Sequence, residues 1–195
     1  MSRVTGVVLA AGRSRRLGRP KQLLPYRDST VLGETLGMAR RCGFDQLIVT
    51  LGGVADEVRR VVALDGVQTV IVDDAGSGCS SSLRAALESV DPASTGIVLL
   101  PGDQPGVTST TVRRLIRAAS GGPIGVCRYD DGVGHPFWLS RDIFGELVRL
   151  HGDKGVWKLV ESGRYDVREV PVDGPVPLDV DTWDDYERLL ATVAP

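Results

Sequence analysis

Cysteine is scarce in this chain: Cys42, Cys79 and Cys127 are the only three in 195 residues, and no CxxC pair occurs. A disulfide framework or zinc module is therefore excluded, and reduced, mostly buried thiols are expected. Neither charge is in excess, because the net charge is −2. A general nucleic-acid surface has no support in that balance. Long apolar runs are missing as well: the N-terminal MSRVTGVVLAAGRS is too short to span a bilayer and runs into arginines instead of a cleavage site. With no signal peptide or membrane anchor to read, a cytoplasmic protein is expected. Internal repeats and low-complexity linkers are also missing. What remains is 42% hydrophobic residues in 195, enough for one sizeable domain with its own core.

Apolar, β-prone runs alternate with helical patterns, the order expected of crossovers feeding a mostly parallel sheet. Strands are predicted over Thr5–Ala10, Gln46–Leu51, Gln68–Val72, Gly96–Leu100, Ile124–Cys127 and Val167–Val172. Helices are predicted over Val31–Arg41, Ala55–Val62, Ser80–Val90, Thr110–Ala119, Arg141–Leu150, Gly155–Glu161 and Thr182–Thr192. In such sheets ligands collect beyond the carboxyl ends of the strands, so the residues just after each strand carry the information.

After the first strand comes AAGRSRRLGRPK, where Ala10, Ala11 and Gly12 leave the backbone approachable and Arg13, Arg15, Arg16, Arg19 and Lys21 follow at once. Free backbone N–H groups beside mobile cations suit a polyphosphate. A Walker loop is excluded because Arg19 and Pro20 follow Gly18, and a dinucleotide fingerprint is excluded because no glycine stands two after Gly12. The stretch is thus a different phosphate loop or a solvated basic turn. After the third strand, Gly76 and Gly78 loosen a turn, and Ser80, Ser81 and Ser82 offer a helix N-terminus with more hydroxyls than one cap requires. After the fourth, Asp103 sits between Gly102 and Pro105; it is a common turn residue, but opposite a phosphate loop it suits Mg²⁺, which takes one or two carboxylates and fills its shell with phosphate oxygens and water. Near the C-terminus Asp179 and Asp181 alternate along an extended segment and share a face, with Thr182 placed to cap the helix that follows. Asp181 is read as a second metal ligand; Asp184 and Asp185 fit the first turn of that helix through its dipole. Trp138, Trp157 and Trp183 are read as core rather than stacking surfaces, and His151 as surface.

The motifs LAAGRSRRLGRPKQLLP, GCSSSLRAAL, PGDQP, GHPFWLSRDIF and DVDTWDDYERL, in that order, resemble the molybdenum cofactor nucleotidyltransferases, most nearly the cytidylyltransferase branch. The resemblance covers nearly the whole chain. It implies a Rossmann-like three-layer α/β/α fold of the nucleotide-diphospho-sugar transferase type. It implies transfer of CMP from CTP to the phosphate of molybdenum-molybdopterin, with release of pyrophosphate and dependence on Mg²⁺ or Mn²⁺. LAAG resembles cytidine users, whereas guanylyltransferases of the MobA-like branch, which use GTP, usually read LAGG. By resemblance, Leu9, Ala10, Ala11 and Gly12 line base and ribose, Arg13 and Ser14 continue the nucleotide loop, and Arg16 and Lys21 hold phosphates. Gly78, Ser80, Ser81 and Ser82 match the nucleotide-binding serine run, Asp103 and Asp181 the metal ligands, and Gly134, His135 and Pro136 the start of acceptor binding. Arg16, Lys21 and Asp103 would carry catalysis, with nucleotide binding in residues 1–106 and acceptor and second metal ligand in 107–195. One departure stands at Asp73, Asp74, Ala75 and Gly76, where the family often carries an Asn-Pro-aromatic motif. The chain also resembles a subgroup named nicotine blue oxidoreductase, though no flavin or nicotinamide fingerprint is present. The alternatives are therefore an NAD(P)H-dependent reductase and a non-catalytic cofactor chaperone serving a client molybdoenzyme.

Overall fold

In a computed structural model, which describes residues 3–73 and 78–193, strands and helices alternate along the chain. In order they are β1 (Arg3–Ala10), β2 (Pro25–Tyr26), β3 (Ser29–Thr30), α1 (Val31–Arg40), β4 (Gln46–Leu51), α2 (Ala55–Val61), β5 (Gln68–Ile71) and α3 (Cys79–Leu87). There follow β6 (Ser94–Pro101), α4 (Ser109–Ala119), β7 (Ile124–Tyr129), β8 (Gly132–Ser140), α5 (Phe144–Leu147), α6 (Gly155–Glu161), β9 (Val167–Pro171) and α7 (Trp183–Ala191). Seven strands form one sheet in the order β5-β4-β1-β6-β8-β7-β9. Within this sheet, among the described residues, β8 alone runs antiparallel to its neighbours, and β2 and β3 form a separate antiparallel hairpin.

Alternation along the strands divides the core. Val4, Val8, Val49, Leu51, Val98 and Leu100 face α1, α2 and α4. Val7, Ile48, Ile97 and Leu99 face α3, α5 and α6. Because central strands have helices on both faces, they read as continuous apolar runs, and VVLA and GIVLL are buried nearly throughout. The result is the expected Rossmann-like three-layer sandwich. A third, smaller core of Leu17, Leu24, Tyr26, Val31, Val180 and Leu189 ties the loop after β1 to α7.

All six predicted strands form. The short β2–β3 hairpin lies outside the sequence reading, and two larger features differ from it. The segment predicted as one helix over Arg141–Leu150 is a 3-10 turn, Arg141–Ile143, followed by the short α5. Strand β8 was not predicted, because Gly132, Gly134 and Pro136 interrupt its β pattern. The structure accommodates them with a bulge: Phe137 faces Val126 and Gly134 faces Cys127, so His135 and Pro136 have no opposite number on β7. Proline lacks an N–H, and a bulge is where a central strand can dispense with one.

Candidate active site

Beyond the carboxyl ends of β1 and β6 lies a cleft of about 750 Å³. Its first wall is the loop after β1. Gln22 is buried and donates from Nε2 to the carbonyl oxygens of Ala10 (2.7 Å) and Gly12 (2.9 Å), pinning both ends of the AAG turn. The backbone N–H of Lys21 donates to Ser14 Oγ at 3.0 Å, which closes the loop from the other side. Leu17 is buried in the small third core, so Arg13, Arg15 and Arg16 are left exposed around the rim. The turn after β6 sits hard against this loop. A Cβ at Gly102 would come within 2.8 Å of the Ala10 Cβ and 2.9 Å of the Leu9 carbonyl oxygen.

Asp103 follows Gly102, and the segment before α7 passes beside it, with the Val180 N–H donating to the Asp103 carbonyl at 3.2 Å. This brings the two candidate metal carboxylates onto one point, and a cation is there. The Lys21 ammonium donates to Asp103 Oδ2 and, at 2.8 Å, to Asp181 Oδ1. Arg16 Nη2 holds the other Asp181 oxygen at 2.7 Å. Burial works against the Lys21 charge, but Asp103 and Asp181 outweigh it and hold the ammonium above its ordinary pKa. Burial likewise opposes ionisation of Asp181, and Lys21 and Arg16 reverse the balance and hold it low. At the rim, Asp179 titrates differently: loss of water around its carboxyl, then the charge of Asp103, push it up to about 6 against the weaker opposing pull of Gln104 and Lys21. Its companion Gln104 is buried, donates to the Pro177 carbonyl at 3.2 Å, and keeps an unpartnered Oε1 among the described residues.

The N-terminus of α3 forms the facing wall. Gly78 has φ 89°, and a Cβ there would meet Asp153 Oδ1 at 2.7 Å, so the position requires glycine on both counts. The first N–H of α3, from Cys79, donates to Asp153 Oδ1 at 3.0 Å. Ser80 Oγ donates to the Gly152 carbonyl at 2.6 Å, and Ser81 Oγ to the Gly78 carbonyl at 2.7 Å. The serine run therefore serves the protein's own backbone in large part. Ser80 and Ser82 line the cleft, and Ser81 lies outside its wall. Of the acidic departure, Asp74, Ala75 and Gly76 fall outside the described residues.

The remaining wall is aromatic. The β8 bulge carries His135 to the cleft, while Gly134 and Pro136 do not reach it. The His135 ring stacks on Phe137, with centroids 4.2 Å apart, and Trp157 stands edge-on to both. Burial alone lowers the His135 pKa to about 4, so the imidazole is neutral at pH 7. Trp138 is wholly buried, as expected, with Nε1 donating to the Gly122 carbonyl at 3.0 Å. Trp183, expected in the core, is instead 42% exposed beneath the Arg19 guanidinium. It lies on the outward side of α7, whose inward side is filled by Leu189. His151 is exposed, as expected.

Leu9, Ala10, Ala11, Gly12, Arg13, Ser14, Arg16, Lys21, Gly78, Asp103 and Asp181 all line this one cleft. Sequence reasoning missed Gln22, Asp153 and the cleft-facing side of Trp157. Gln22 stood inside the quoted loop, and only its polarity amid LL signalled a buried amide. Asp153, in HGDKG, reads as an ordinary turn aspartate.

Residues 6–169 match the model of the MobA-like NTP transferase domain. Over 197 aligned residues, and 96% of each chain, the sequence is 31% identical to nicotine blue oxidoreductase of Paenarthrobacter nicotinovorans. The crystal structure of Rv0371c from Mycobacterium tuberculosis H37Rv is 67% identical and superposes with a TM-score of 0.94, covering 97% of this chain and 98% of that one. A second structure of Rv0371c, in complex with manganese, is 64% identical over the same shares with a TM-score of 0.90. The nucleotidyl transferase Mth528 from Methanothermobacter is 26% identical, with a TM-score of 0.81 and 98% of each chain covered.

Proposed function

The chain belongs to the MobA-like NTP transferase family and is a nucleotidyltransferase; on that premise we propose that it transfers CMP from CTP to the phosphate of molybdenum-molybdopterin, releasing pyrophosphate. The observation that carries the reading is the meeting of Lys21 and Arg16, from the loop after β1, with Asp103 and Asp181 at one point of the cleft. Nucleotidyl transfer needs cations for the triphosphate and carboxylates for a divalent ion within reach of each other.

The donor set fits Mg²⁺ or Mn²⁺. Both are hard cations served by one or two carboxylates, and here two carboxylates already converge on the single positive charge of Lys21. Manganese is present in the complex of the similar protein Rv0371c. A divalent ion bound to Asp103 and Asp181 would neutralise phosphate charge and help align the reacting groups.

The chain's own groups do the rest. Lys21, Arg16 and the exposed Arg13 and Arg15 bind and orient the triphosphate, and their charge opposes the build-up of negative charge on leaving pyrophosphate. The AAG turn, held open by Gln22, lets the nucleotide approach the backbone closely. No residue need remove a proton from the acceptor, because an attacking phosphate oxygen is already ionised. His135, neutral at pH 7, offers one donor and one acceptor on the aromatic wall, a means of binding an acceptor ring rather than its charge.

The test is pyrophosphate release from CTP, GTP and ATP in turn, with Mg²⁺ or Mn²⁺ and intact molybdenum cofactor. Release with CTP is the expected result; release with GTP alone would place the protein with guanylyl transfer. A second reading, reduction of a quinone-like dye, rests on the 31% identity to nicotine blue oxidoreductase. NADH oxidation by the pure protein, without pyrophosphate release, would favour it.

A further inference from the structure

The Lys21 ammonium fills the place between the two carboxylates where a divalent ion would be held. Its side chain is 15% exposed and that of Asp103 17%, so this half of the contact is shielded from water and salt, while Asp181, 41% exposed, forms the open side. A metal ion at its usual 2.0–2.1 Å from these oxygens, roughly, would stand within a few ångströms of the ammonium, and the two positive charges would repel. One site cannot hold both cations. Leaving alone is costly for Lys21, since a partly buried ammonium would lose both ionic partners. A triphosphate in the same cleft supplies replacements. The backbone N–H of Lys21 is anchored on Ser14 Oγ, so the exchange requires only side-chain rotation.

We propose that Lys21 is the resident counter-cation of the Asp103–Asp181 pair, and that it gives way to a divalent cation when it turns onto the nucleotide's phosphates, so that metal and nucleotide bind cooperatively. The identity of the nucleotide rests on the function proposed above; the competition between Lys21 and the metal does not. Coupling of this kind is reciprocal, each ligand tightening the other by the same factor.

The decisive measurement is Mn²⁺ binding without nucleotide, read from the electron paramagnetic resonance signal of the free aquo ion. Wild type is compared with Lys21→Met and with Lys21→Gln, which keeps a hydrogen-bond donor for the carboxylates while removing the charge. Folding of each is checked by circular dichroism. Both variants should bind Mn²⁺ about tenfold more tightly than wild type, within the range of about 5–150-fold typical of coupled sites. Adding Asp103→Asn to Lys21→Met should abolish the gain. Equal or weaker binding in a folded Lys21 variant would overturn the proposal, as would tight binding that survives loss of Asp103. If the gain is found while wild type releases pyrophosphate from no nucleotide, the counter-cation role stands and the proposed function falls.

Discussion

His135 should make the protein's stability depend on pH in a way that one substitution removes. An imidazole titrates near 6.5 in the unfolded chain, whereas against Phe137 and Trp157 burial holds it to about 4. Between those values the unfolded chain binds a proton that the folded protein does not, so stability falls as pH falls from 6.5 toward 4 and levels off below. The gap corresponds to about 3 kcal/mol at most, at about 1.36 kcal/mol for each pH unit. The assay is urea denaturation of wild type and His135→Asn at half-unit steps from pH 7.5 to 4. Carboxylates titrate in that window in both proteins, so the quantity to read is the difference between the two curves. Wild type should lose about 3 kcal/mol more than the variant across the window. Parallel curves would refute the reasoning, because they would mean that His135 accepts a proton as easily folded as unfolded.

Three further outcomes follow from the geometry. Asp103→Asn should lower turnover by about two orders of magnitude or more with little change in circular dichroism, in line with losses seen when a group stabilising transition-state charge is removed; full activity would take Asp103 out of the chemistry. Trp138→Ala removes the largest wholly buried side chain among the described residues and takes the hydrogen bond from the Gly122 carbonyl, so denaturant titration should show a loss of about 3–5 kcal/mol. Thr182→Ala breaks the capping box in which Thr182 Oγ1 accepts from Asp185 N at 3.2 Å and Asp185 Oδ2 accepts from Thr182 N at 2.8 Å. A loss of about 1 kcal/mol, or a Tm lower by about 2–4 °C, is expected there.

The parts of this fold that sequence made legible are those where local chemistry and burial agree. GIVLL, short and flanked by turn residues, reads as a doubly buried strand, and DTWDDY spells its own helix start through Thr182 and Asp185. Strand β8 was hidden because its signal is not local: GVGHPFWLS becomes a strand only with β6 and β7 on either side, and its Pro136 is tolerated only at a bulge. In the cleft, the gathering of the charged residues was legible from their positions after strands. Their partnerships were not. Nothing in the spacing says that Lys21 lies on Asp181, that Asp153 receives the first N–H of α3, or that Trp183 turns outward while Leu189 turns in. Those facts depend on how the loop after β1 packs against α7, which is tertiary information.

The small third core joins the two ends of the chain's functional machinery. Leu17, Leu24 and Tyr26 meet Val180 and Leu189 there, and Tyr186 Oη donates to the Pro25 carbonyl at 2.5 Å. Lys21 and Asp181 are 160 positions apart, so no nascent chain can bring them together until both ends of that span have left the ribosome. The sheet's central strands have their neighbours earlier, since β1 pairs with β4 and β6. Seating α7 and completing the charged centre therefore require closing a loop of that length, an entropic cost that the nearer strand pairings do not carry. A chain stalled before that step would have most of its sheet and, at the end of β6, Asp103 without its partner Asp181.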